Sequence, residues 1–258
     1  MPLGFCYDYS MSMISSDDIQ DLVTKSFVLE AITEKPGCTS RYEDLPGKPL
    51  QDFIVAGINS SRYFTSLARD FKNDTSVSIF KYNLAALKNS NKHKSSKYIN
   101  FGLLEVMFLA VYARLKTDNP SKIISSMVEE IRNTSNKDVN YLLKTRELAW
   151  STSITQHKIN FAPDKYKKLE SVWDFYDKLH SDFGVESSNF QWAEQYKKGL
   201  PILKAFFDAY TKNGEVINTT KLIFKIQRAK NPLVAVGILA DMCAAAVFLW
   251  LSFNEAPV

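Results

Sequence analysis

A chain of 258 residues that is 45% hydrophobic and 13% aromatic fills one large domain or two small lobes around a real core. Its 23% of charged residues is ordinary for a soluble protein, and 9 glycines against the roughly 18 of average usage favour an α-rich fold. The formal charge of +4 is unevenly placed: residues 81–168 hold 16 of the 32 Lys and Arg but 7 of the 28 Asp and Glu, a basic middle behind an acidic start.

Residues 1–14, with Phe5, Tyr7 and Tyr9, read as an irregular arm. They have no basic n-region and no apolar h-region, so they are not a signal peptide. Cys6, Cys38 and Cys243 are odd in number and far apart, with no metal spacing, which points to a reducing compartment. Ser15 to Asp18 predict a helix cap with acidic groups in the first turn. Ile19, Leu22, Val23, Phe27, Ala31 and Ile32 give that helix one apolar face, closed by Pro36-Gly37. A Pro-rich loop through Pro46 and Pro49 leads to a second helical stripe ending at Phe71. In residues 76–82, Val77 and Ile79 alternate with serines, which predicts a short strand or extended segment before a short helix at 83–88. The polar, basic run 89–97 reads as an exposed loop. Leu103, Leu104, Met107, Phe108 and Val111 predict a helix over 101–116, with Arg114 and Lys116 suited to its C-terminus. Asn119 and Pro120 predict the cap and first residue of the next helix. Residues 138–157, 164–182, 189–198, 201–212 and 219–229 read as further helices. The fold class is therefore all-α: an arm at 1–14, lobes at 15–118 and 119–230, and an apolar C-terminal helix at 231–258.

Residues 233–253 carry a single charge, Asp241, and are long enough to span a bilayer. Asp241 at the midplane would cost roughly 2.5–3.5 kcal/mol, and Asn231-Pro232 is an ordinary helix start. The expectation is a helix buried in the protein's own core or on a neighbouring protomer, with Asp241 meeting a cation or several donors, or lying at the rim. A tail anchor is the alternative, and only that alternative brings in a membrane.

The three histidines, His93, His157 and His180, have no ligand spacing, and no phosphate loop or nucleophile elbow appears. No catalytic residue, metal or cofactor is assigned. His180 reads as a cap or core residue and Glu129-Glu130 as a solvated face. The basic middle interleaves cations with aromatics, as single-stranded nucleic acid requires. The residues assigned to RNA are Lys81, Lys88, Lys92, Lys94, Lys97, Arg114, Lys116, Lys144, Arg146, Lys158, Lys165, Lys167 and Lys168. A helical enzyme acting on a small molecule is a further alternative. It requires a deep pocket lined by converging polar groups.

The segment from Val77 through Phe80, Lys81, Tyr82, Asn83 and Leu84 to Ala86 resembles one in the nucleoproteins of bunyaviruses, the segmented negative-strand RNA viruses. Lys137 to Tyr141, leading to Arg146-Glu147-Leu148-Ala149, is similar to their Arg-Leu helix, in an emaravirus- or orthobunyavirus-like form. The resemblance implies two helical lobes around a basic groove for single-stranded RNA. It also implies self-association through the terminal arms, and it adds Asn83 to Arg146 as an RNA contact. On this reading the protein is not an enzyme. It is an oligomeric RNA-coating capsid protein, cytoplasmic and part of the virion ribonucleoprotein.

Overall fold

A computed structural model describes residues 14–90, 100–151 and 162–255. The expected arm at 1–14 and the basic run 89–97 fall almost wholly outside them. The fold is all-α, and no strand occurs among the described residues.

Helix α1 (Ser16–Ile32) opens on a capping box, in which the Ser15 hydroxyl and the Asp18 carboxylate each accept the other's backbone N–H. Its buried face, Ile19, Leu22, Val23 and Phe27, lies on α2 (Leu50–Asn73). Gly57 makes that contact close: a Cβ there would stand 2.8 Å from the Phe27 Cβ. Between the two helices, residues 33–49 form a loop pinned by an antiparallel bridge between Leu45 and Lys48.

The expected strand at 76–82 is instead a turn and the start of α3 (Ile79–Ser90). Two alternating residues are a short signal, and the longer pattern wins: Ile79, Phe80, Asn83, Leu84 and Leu87 are all buried at helical spacing. Helix α4 (Phe101–Lys116) is buried nearly all round. The next helix, α5 (Ile123–Arg132), begins three residues later than Asn119-Pro120 predicts. The Asn119 side chain accepts from the Ser121 N–H and O–H, an Asx turn that holds 119–122 out of the helix. Helix α6 (Asn136–Ser151) follows.

The expected helix at 164–182 is broken. A 3-10 turn (Pro163–Lys165) leads to α7 (Val172–Asp182), which has its own capping box from Ser171 and Asp174. The break lets Tyr166 turn into the core against Phe175 and donate to Asp182 at 3.0 Å. Helices α8 (Ser188–Lys197), α9 (Pro201–Asn213) and α10 (Ile217–Lys230) match their sequence signals.

The last helix, α11 (Val236–Asn254), is long and apolar enough to cross a membrane, yet most of it is buried in protein. It packs between α1, α4 and α9. The first element and the last therefore share one core, and the docked helix has its partner within the same chain.

Candidate active site

The residues assigned to RNA do not form one surface. Arg146 is 1% exposed and Asn83 fully buried. Arg114 is buried beside Asp118 and Phe253. Lys116 pairs with Glu130 at 2.7 Å, Lys165 with Asp182 at 2.8 Å, and Lys167 with Asp164. Lys81, Lys88, Lys144 and Lys168 are exposed. Lys92, Lys94, Lys97 and Lys158 lie outside the described residues. Of the acidic pair, Glu129 is solvated as expected, but Glu130 is buried by its lysine. His180 joins α7 to α8, with Nε2 at 2.6 Å from Glu194 and its ring stacked on Phe190.

The polar groups converge elsewhere. The C-terminal end of α1, the loop after it, the first turn of α2, the start of α4 and the first turns of α11 enclose a cavity of about 290 Å³. Glu30, Cys38, Lys48, Phe53, Phe101 and Asp241 line it. So do Gly37, Gly102 and Gly237, three of the nine glycines in a glycine-poor chain. Gly37 holds a φ of 83°, which favours glycine at that turn.

Glu30 is fixed by Lys35, whose side chain is entirely buried and whose Nζ lies 3.1 Å from Glu30 Oε1. The same ammonium donates to the carbonyls of Glu30 and Thr33, closing the open end of α1. Burial alone would lower the Lys35 pKa, but the Glu30 charge and hydrogen bond, together with the nearby Cys243 and Cys38, outweigh it and the net shift is upward. Glu30 is therefore held in place with a cation behind it. Burial pushes the Cys38 thiol up to about 12, so it is a wall and not a nucleophile. Lys48 is exposed at the mouth and forms no ion pair among the described residues.

Asp241 sits opposite, on α11, where it reaches solvent through the cavity and makes no hydrogen bond among the described residues. Burial raises its pKa well above the carboxylate range, and the charges of Glu30 and Glu105 raise it further against the pull of Lys48. The expectation that it lies at a rim is met. An ideal Cβ on Gly102 would stand 2.6 Å from Trp192 Cζ2 and on top of Asp241 Oδ2, so the glycine makes the room this carboxyl occupies.

Behind Phe101 and Gly102 lies a buried polar network. Arg146 Nη2 is 3.2 Å from Glu105 Oε2 and donates to the Tyr176 hydroxyl at 3.3 Å, while Nη1 donates to Asn189 Oδ1 at 3.3 Å. The Tyr196 hydroxyl donates to Glu105 Oε1 at 3.4 Å. Burial pushes the Glu105 carboxyl up, and Arg146 pulls it back. The guanidinium also stacks 5.4 Å from the Phe101 ring centroid, which ties the network to the cavity wall.

Nothing in the sequence marks Glu30, Lys35 or Lys48 as functional. Asp241, the one charge in an apolar run, was the available signal.

A family model described as CitG, ATP:dephospho-CoA triphosphoribosyl transferase, matches residues 16–226. No curated protein and no solved structure matches the chain. The match overturns the resemblance to viral nucleoproteins. With it go the RNA partner, the self-association through arms, the non-enzymatic role and the virion location. The matched stretch takes in α1 through most of α10, including four of the five elements that enclose the cavity: the chain belongs to the CitG family.

Proposed function

We propose that this protein transfers the triphosphoribosyl group of ATP to a hydroxyl of dephospho-CoA, and that the transfer takes place in the cavity between α1, α4 and α11. The C1′–N9 bond of ATP breaks and its electron pair leaves with adenine. A C1′–O bond forms to the acceptor hydroxyl, whose proton passes to a base, and adenine takes up a proton. The observation that carries this reading is the pair of carboxyl groups, Glu30 and Asp241, brought by two distant helices to one apolar-walled cavity. Sugar transfer passes through a cationic, oxocarbenium-like carbon, and paired carboxyl groups are the usual way to run it. Glu30 is the base towards the acceptor hydroxyl, and its negative charge also favours the developing cation at C1′. A volume of about 290 Å³ is at the small end for ligand pockets, so the triphosphate and the arm of dephospho-CoA extend past the mouth. Lys48 stands there as a cation for the phosphates. A cytoplasmic location fits a transferase of this family.

The test is direct. Purified protein with ATP and dephospho-CoA should yield adenine and a triphosphoribosyl adduct in equal amounts, separated by liquid chromatography and identified by mass. Formation of ADP or AMP in place of adenine, or no adduct, would overturn the reading.

A further inference from the structure

We infer that Asp241 is the catalytic residue that binds the edge of the departing adenine and hands it a proton. This role rests on the transfer reading and adds to it a base-recognition site on α11, a helix beyond the family-matched stretch of residues 16–226.

Structure gives Asp241 no other task. It is the one charged group inside α11, and it has no hydrogen-bond partner among the described residues. A carboxyl left in this condition costs stability that an alanine or leucine would not. The cavity is shaped around it. Gly102 yields the space its carboxyl fills, under the edge of Trp192. Gly237, one turn earlier on the same helix, lines the cavity and leaves open space where a side chain would stand. Phe53, Phe101 and Leu103 supply the apolar walls a purine ring needs.

The chemistry then matches one edge of the base. A protonated carboxyl offers one O–H donor and one carbonyl acceptor side by side. Adenine presents the complement along one edge, with ring N7 as acceptor and the 6-amino group as donor. The O–H of Asp241 donates to N7 and its carbonyl accepts from the amino group. As the C1′–N9 bond breaks, the proton passes to N7, so adenine leaves neutral with the bonding pair on N9. Asp241 is left as a carboxylate and regains its proton from solvent. The acceptor hydroxyl's proton goes to Glu30, whose Oε1 lies 3.1 Å from the Lys35 ammonium. The charged and titratable groups around Asp241 are Glu30 from α1, Glu105 from α4, Tyr196 from α8, and Lys48 and Cys38 from the loop. The two carboxylates favour its protonated form, and Lys48 opposes them.

The experiment compares the full-length wild type with Asp241→Asn and Asp241→Ala in the adduct assay. ATP binding is followed by calorimetry and folding by thermal melting. Asn keeps a donor beside an acceptor but cannot give up a proton. Asp241→Asn should bind ATP within about threefold of the wild type and lose about 10²–10⁴-fold in kcat, the usual worth of a proton-transfer group. Asp241→Ala should also lose ATP affinity and the preference for ATP over ITP, which has no 6-amino group. The wild-type rate should fall as pH rises through the Asp241 pKa, and the residual rate of Asp241→Asn should lack that limb. An active wild type whose Asp241→Asn variant keeps kcat within tenfold overturns this role alone. A wild type that makes no adduct overturns the transfer reading and this role with it.

Discussion

Replacing Arg146 by Met should lower the unfolding free energy by about 3–5 kcal/mol, because it leaves the Glu105 carboxyl inside the protein without its cation. The side chains of both partners are 1% exposed, so water cannot compensate. The double variant Arg146→Met/Glu105→Leu should recover most of the loss, since removing both charges also removes their desolvation cost. Urea denaturation of the two variants beside the wild type measures this directly. A surface arginine serving a phosphate would change stability by within about 0.5 kcal/mol, so a small effect for Arg146→Met would overturn the buried-pair account.

The second large effect concerns activity. Glu30→Gln should cut kcat by about 10²–10⁴-fold, since it removes the base towards the acceptor hydroxyl. Lys35 keeps the Glu30 and Thr33 carbonyls in this variant, so the fold should survive with a lower melting temperature. Adduct formation and a thermal melt check the two halves separately. An unchanged kcat with a lower melting temperature would mean that Glu30 serves only to anchor Lys35.

Much of the helical architecture was legible in the residues. Ser15 with Asp18, the apolar face of α1, the run from Leu103 to Val111, and Pro201 at the head of α9 each announce their element. The misread places are those where a side chain bonds to its own turn. Asn119 holds its neighbours out of α5, and Ser171 with Asp174 starts α7 afresh. The site was not legible, because Glu30, Lys48, Gly102 and Asp241 meet only once α1, α4 and α11 are packed. Pro36-Gly37 read as the helix stop, but α1 already ends at Ile32 with Thr33 as its cap, and nothing in the sequence shows that Lys35 turns inward to hold that end. The charge sorting misled for a related reason. A sum along the chain gives the excess of cations but not their setting: Lys116 and Arg146 pair with Glu130 and Glu105, and Lys165 pairs with Asp182 from outside the basic stretch. The patches that resembled a viral nucleoprotein turned on Asn83 and Arg146, and both are packed inside.

The docking of α11 against α1 also bears on how the protein is made. During synthesis α1 leaves the ribosome well before α11; α2 can cover one side of it early, but the side that meets α11 must wait for a helix some two hundred residues away. Lys25 and Glu255, which pair across that seam, are separated by 230 positions. Contacts this distant along the chain slow the search for the native state and keep sticky surface uncovered meanwhile. The proposed site inherits the delay: Glu30 and Asp241 line one cavity only after α11 has seated on α1, so the site forms only once these two distant segments have come together.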